Sequence, residues 1–202
     1  QVIVNPMFYS LGGTRLRAIL RDGEKVVVQK TITASESTPL ILPVKKAKLW
    51  SPESPFLYDL DYEVLDEQGN VVDQVHSYVG MRKIHAEGNR LYLNNEPYYL
   101  RMVLDQGYYP ESQWTAPSDS ALKNDILLSK AIGFNGARLH QKVFEERFHY
   151  WADKLGYLTC GEMNSWGLDY NLPIAGSIFM PEWLEVVKRD RNHPSIIMWV
   201  PL

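Results

Sequence analysis

From Thr14 to about Ile84, apolar and polar positions alternate in short runs: Leu16, Ala18 and Leu20, then Val26 to Val28, Leu57 to Leu65 and Val71 to Val75. A period of two marks strands with one buried face. Asp22-Gly23 and Gln68-Gly69-Asn70 separate these runs as hairpin turns, because Gly and Asn enter positive φ cheaply. The chain also opens in a β-like run at Val2 to Val4. Short strands at this spacing, with no helical stretch between them, predict an all-β immunoglobulin-like sandwich over residues 1–85.

After Arg90 the period changes. Leu91 to Leu93, a turn at Asn94-Asn95 and Tyr98 to Val103 read as a hairpin-like entry whose second arm is an interior strand. Helix and strand then alternate. Ser118 is placed to cap a helix carrying Leu122, Ile126, Leu127 and Ala131, with Gly133 at its end. A strand over residues 135–139 follows. The next helix carries Phe144, Phe148, Trp151, Ala152 and Leu155 on one face and closes at Gly156, before a strand from Tyr157 to Cys160. A third helix is expected to start at Pro181, where a missing N–H costs nothing, with Leu184 and Val187 inward, ahead of a strand from Ile196 to Val200. Four strands alternating with three helices predict the first half of a (β/α)8 TIM barrel over residues 86–202, with the loops after the strands gathered at one end.

Composition narrows the function classes. Lys and Arg number 21 against 24 Asp and Glu, and no basic stripe would neutralise phosphates, so no nucleic-acid partner is expected. Apolar stretches reach only about five residues, far short of the ~20 that span a bilayer, so no membrane role is expected either. Cys160 is alone, reads as a buried apolar residue and leaves the compartment open. No metal-ligand pattern is present, and no cofactor is expected.

The loops at the carboxyl ends of the parallel strands carry the candidate chemistry: Leu104 to Pro117, His140 to Lys142, and a stretch of about twenty residues from Gly161 to Met180. Together they offer Asp105, Tyr108, Tyr109, Arg138, His140, Glu162, Asn164 and Trp166. Carboxylates, cationic donors and aromatic faces in one place suit carbohydrate chemistry. Arg138 is either a substrate-binding cation or half of a scaffold ion pair with Glu162, and His140 is either a site residue or a structural hydrogen-bonder. Trp151, Trp183 and Trp199 fall on inward positions.

The run Leu49-Trp50-Ser51-Pro52-Glu53-Ser54-Pro55-Phe56-Leu57-Tyr58, followed by Val79-Gly80-Met81-Arg82-Lys83-Ile84, resembles the end of the immunoglobulin-like domain of family 2 glycoside hydrolases, the β-galactosidase and β-glucuronidase family. Leu93-Asn94-Asn95-Glu96-Pro97 through Leu100-Arg101-Met102-Val103 is similar to that family's entry into its barrel. Gly133 to Arg138 resembles its second strand, Trp151 to Glu162 its second helix and third strand, and Arg189 to Ile196 with Trp199 the approach to its fourth.

The resemblance implies a retaining β-glycosidase, in which two carboxylates about 5 Å apart form and then hydrolyse a glycosyl-enzyme intermediate. It also implies that no catalytic residue lies in this chain: the family's acid/base follows the fourth strand in an Asn-Glu pair, expected just beyond Leu202, and its nucleophile comes later still. On this reading the chain is an internal fragment, inactive alone. Its contribution is a sugar-binding wall of Asp105, Arg138, His140, Glu162, Asn164, Trp166 and Trp199, facing an oligosaccharide or β-glycoside. An unclosed barrel is also expected to self-associate through its open strands. The alternative is a non-catalytic carbohydrate-binding or structural module with Trp166, Tyr108 and Tyr109 as its platform. Two departures from the family pattern bear on the substrate: Asp105-Gln106-Gly107-Tyr108-Tyr109 stands where many members are His-rich, and Leu139-His140-Gln141-Lys142 replaces Ser-His-Tyr-Pro.

Overall fold

The computed structural model describes residues 1–8, 14–34, 39–164 and 166–201. They form two compact units, one of residues 1–48 with 56–81 and one of residues 49–55 with 82 onward.

Among the described residues the first unit has six strands: β1 (Val2–Val4), β2 (Arg15–Asp22), β3 (Lys25–Thr33), β4 (Leu40–Leu42), β5 (Tyr58–Leu65) and β6 (Val71–Val79). A four-stranded antiparallel sheet runs β3-β2-β5-β6, and β1 pairs with β4 in a separate two-stranded sheet. Between the two sheets lies a core of Val2, Ala18, Leu20, Leu40, Leu42, Tyr58 and Leu60. On β2 the polar partners of the alternation are tied to β5, where Arg17 pairs with Glu63 and Arg21 with Asp61. Strand β4 was not legible: three apolar residues between Pro39 and Pro43 are too few to show a period.

The second unit opens with a small antiparallel sheet of β7 (Ile84–Glu87), β8 (Arg90–Leu93) and β9 (Glu96–Pro97), and continues into four parallel strands, β10 (Met102–Asp105), β11 (Gly136–Leu139), β12 (Leu158–Glu162) and β13 (Ile196–Val200). Strand order follows chain order, and three helices intervene, α1 (Asp119–Ala131), α2 (Glu146–Leu155) and α3 (Pro173–Asp190). The arm expected from Tyr98 to Val103 is divided. Tyr98 N–H still serves the hairpin through the Leu91 carbonyl, whereas Arg101 N–H already donates to Asn135 beside β11, so residues 98–101 cross between sheets.

Ser118 caps α1 by accepting from the Ala121 N–H at 3.2 Å. Leu122 and Ile126, four apart, are buried against Ala137 and Leu139 of β11 and Phe148 and Ala152 of α2. Of the four apolar residues at helical spacing, Leu127 and Ala131 are exposed: Leu127 lies a further 100° round the helix from Ile126. A larger correction concerns α3. It begins at Pro173, which takes the first-turn position expected of Pro181, and Pro181 lies inside it. The expected twenty-residue loop therefore spans only Met163 to Leu172. Its buried face is Ala175, Phe179 and Trp183, spaced by four, and Leu184 is exposed.

A buried polar network holds the start of β13. The Asp153 carboxylate on α2 accepts from the Ser195 N–H at 2.9 Å and faces His193 Nδ1 at 2.6 Å. Trp50, fully buried, donates its indole N–H to the Asp153 carbonyl, and Arg82 donates to the carbonyls of Pro194 and Ile196. His149, beside Asp190 and His193, is driven by burial to a pKa of about 4 and is neutral at pH 7. No helix among the described residues is long and apolar enough to cross a membrane.

Candidate active site

Parallel pairing sets which side chains share a face. Leu104, Arg138, Cys160 and Met198 are register partners in one row across β10 to β13, and Asp105, Leu139, Gly161 and Trp199 stand one residue further along each strand. Side chains alternate, so the second row faces the opposite side from the first. Leu139 packs into the core with α1 and α2, which identifies the second row as the helix side.

On the face away from the helices, Glu162 stands two residues beyond Cys160 and meets Arg138 across the strand pair. Arg138 Nε donates to Oε2 at 2.6 Å and Nη2 to Oε1 at 3.2 Å, and the Gln141 N–H adds a third donor to Oε1 at 3.0 Å. The carboxylate is buried, whereas the Arg138 side chain is 46% exposed. Glu162 therefore fixes a guanidinium whose remaining donors face outward, and the pair holds Arg138 still more firmly in its charged form. The structure thus contains the ion pair of the scaffold reading, with a cation that stays partly exposed.

His140 Nδ1 lies 2.9 Å from Gln106 Nε2, an arrangement that places the ring proton on Nε2 when the amide donates. Asn164 is exposed and accepts from the Trp166 N–H. Trp166, 69% exposed, donates its indole N–H to Gln141 Oε1 at 2.8 Å. Arg138, Glu162, Gln141 and Trp166 thus form one connected chain of contacts.

Two predicted site residues are turned elsewhere. Trp199 packs edge-on against Trp183 of α3, and a Cβ on Gly161 would come within 2.8 Å of its ring. Asp105 closes its own turn by accepting the Gly107 N–H at 2.8 Å, and burial pushes its carboxyl pKa up. Asp105 and Glu162 consequently do not face a common substrate. Tyr109 is also unavailable as a platform, because it is buried and its hydroxyl donates to Asp125 at 2.6 Å, while Tyr108 is exposed. Burial raises the Cys160 thiol to about 11, leaving it protonated. Among the described residues no cluster of three or more His, Cys, Asp or Glu could hold a metal.

Sequence reasoning missed Gln141 and Lys142. Gln141 sits at φ 54, a left-handed conformation rare for a side-chain-bearing residue, which lets its main chain reach Glu162. Lys142 is buried and donates to the carbonyls of Gly107 at 3.0 Å and Trp114 at 2.6 Å, pinning the loop after β10. The only sequence signal was their place immediately after a strand end.

The second unit is thus an α/β arrangement of four parallel strands with helices between them, and Arg138 and Glu162 lie toward the carboxyl ends of those strands. Residues 13–82 match the family profile of glycosyl hydrolases family 2, and residues 84–200 match its TIM barrel domain. The chain belongs to glycosyl hydrolases family 2. It is 32% identical over 165 residues to a β-galactosidase of Pseudoalteromonas haloplanktis, covering 78% of this chain and 16% of that protein. It is 28% identical over 206 residues to a β-glucuronidase of Paenibacillus borealis, covering 93% of this chain and 32% of that protein. Among solved structures, a β-glucuronidase from Ruminococcus gnavus in complex with D-glucaro 1,5-lactone superposes with a TM-score of 0.83 at 25% identity, covering 93% of this chain and 32% of that one. The chain thus spans between about a sixth and a third of the length of these relatives.

Proposed function

We propose that this chain forms one wall of the sugar pocket of a retaining β-glycosidase, with residues 1–85 as its immunoglobulin-like support and residues 86–202 as the first half of the barrel. The observation that carries the reading is the Arg138–Glu162 pair at the carboxyl end of the parallel sheet, with its carboxylate saturated and its guanidinium open. Glu162 is committed to two guanidinium N–H groups and the Gln141 N–H, which suits it to positioning Arg138. In this proposal Arg138 binds substrate hydroxyls, Glu162 positions Arg138, and His140, Asn164 and Trp166 complete the wall. The reacting carboxylates are supplied from elsewhere in the enzyme.

Glu162→Ala in the full-length enzyme should lower kcat/KM for an aryl β-glycoside about 100-fold, equivalent to one or two charge-assisted hydrogen bonds. Glu162→Gln, which keeps an acceptor for the Gln141 N–H, should lose less. The 202-residue chain alone should show no turnover; a burst of released phenol from it, or an unaffected kcat/KM in Glu162→Ala, would refute the assignment.

The same sheet suggests how the isolated chain behaves. Leu104 and Met198, in the row with Arg138, are 54% and 44% exposed, and β10 and β13 are each paired on one side only. In the 202-residue chain this face is expected to associate with a second copy of itself. Sedimentation velocity should show a weight-average mass that rises with concentration, and Leu104→Lys with Met198→Glu should restore the monomer. A concentration-independent monomer in the unsubstituted chain would exclude it.

A further inference from the structure

A cavity of about 530 Å³ opens at the carboxyl end of the parallel strands, bounded by the loop after β10, the loop after β11, the end of β12 and helix α3. It is not the Arg138 face. Met163 follows Glu162 by one residue and is buried with Phe179 and Trp183 of α3, so the cavity lies on the helix side of the strand end. Val143 and Met163 give it an apolar floor, and Trp114, Gln141, Asn164 and Glu182 stand around it.

Three observations show that the cavity is pre-formed. Lys142 holds the Trp114 carbonyl at 2.6 Å, so the loop bearing that half-exposed indole is anchored by a buried ammonium. Gln141 is locked in left-handed backbone geometry by its N–H bond to Glu162, and its side chain is held by Trp166. Such strain persists only where the surroundings over-determine it, and it concentrates at binding sites. The volume falls within the range of small-molecule pockets, which combine apolar walls with a few convergent polar groups.

The chemistry selects the ligand. A half-exposed indole and an apolar floor suit the C–H face of a pyranose, and two amides with two carboxylates, Glu145 and Glu182, suit its hydroxyl edge. The Lys142 ammonium is bonded to main-chain carbonyls and paired with Glu145 at 3.6 Å, and Glu145 and Glu182 both repel an anion, so a uronate is disfavoured. We infer that this cavity is a secondary subsite for a neutral sugar unit of a β-linked oligosaccharide, with Gln141 as the residue that touches both it and the Arg138–Glu162 pair. This rests on the glycosidase reading above.

The test compares a neutral β-1,4-galactotriose with 4-nitrophenyl β-galactoside on the full-length enzyme. Trp114→Ala should lower the ratio of kcat/KM for the trisaccharide to that for the aryl glycoside about tenfold, and Trp114→Phe, which keeps an aromatic face, should restore most of it. Glu162→Ala, in contrast, should depress both substrates together. A ratio within about twofold of wild type in Trp114→Ala overturns the subsite. If the wild-type enzyme cleaves neither substrate, 4-nitrophenyl β-glucuronide and the other aryl β-glycosides are tried in turn, and turnover of none of them makes the glycosidase reading fail on its own. The subsite is then decided by titrating the trisaccharide against the Trp114 indole NMR resonance: a saturable shift supports it, and no shift overturns it.

Discussion

Asp153→Ala is expected to cost about 3–5 kcal/mol of folding stability, the range for removing one partner from a buried charged pair. Asp153 is fully buried, and both of its carboxylate oxygens are engaged, one by the Ser195 N–H at 2.9 Å and the other by His193 Nδ1 at 2.6 Å. Alanine would strand a buried N–H, leave the imidazole without its acceptor and remove the anion whose field opposes the desolvation of Arg82. The neighbouring Asp190 is already held by Arg189. Asp153→Asn should cost less, since an amide oxygen can still accept from Ser195. Urea unfolding followed by tryptophan fluorescence reads the difference, and a loss below about 1 kcal/mol for Asp153→Ala would show that the network contributes little. The functional stake is β13, whose first residues this network fixes and whose pairing with β12, shifted by one residue between Thr159 and Cys160, sets the row containing Cys160 and Met198.

What could be read in advance follows from which interactions are local. Period-two runs and their turns marked β2, β3, β5 and β6; β2 and β5 do bury one face, whereas β6 is exposed from Val71 to Ser77, so there the pattern located the strand without showing its burial. Ser118 and Gly156 were legible because a cap is decided within a single turn of helix. The start of α3 was misread because two prolines, Pro173 and Pro181, fit the same rule. Only tertiary burial of Ala175 and Phe179, both upstream of Pro181, decides between them. In the candidate site, Arg138 and Glu162 could be named as a pair because they sit at the ends of adjacent parallel strands. Trp199 could be placed on an inward position from its strand, whereas the turning away of Asp105 could not be seen, since it depends on register across the parallel strands, where a shift of one residue reverses every face. Gln141 was hidden for a different reason: its role lies in its main chain, and composition is blind to φ.

Gly156→Ala illustrates the same limit and should destabilise the protein by about 4 kcal/mol, while Gly133→Ala should cost only about 1–2. Both glycines end a helix at positive φ, +67° and +100°, so both substitutions incur the left-handed strain of about 1–2 kcal/mol. From sequence the two are indistinguishable. A Cβ on Gly133 meets nothing within 4 Å, whereas one on Gly156 would overlap the Pro52 carbonyl oxygen and lie 2.9 Å from its carbon. A backbone group cannot rotate out of the way as a side chain can, so either the end of α2 or the segment around Pro52 must shift, adding about 1–3 kcal/mol of overpacking. That segment also carries Trp50, whose indole N–H is bonded to the carbonyl of Asp153, so displacement at Gly156 should loosen the polar network from its other side. Paired denaturation of the two variants provides the measurement. Equal losses at Gly133 and Gly156 would mean that Pro52 does not press on the helix end and that the two caps differ in φ alone.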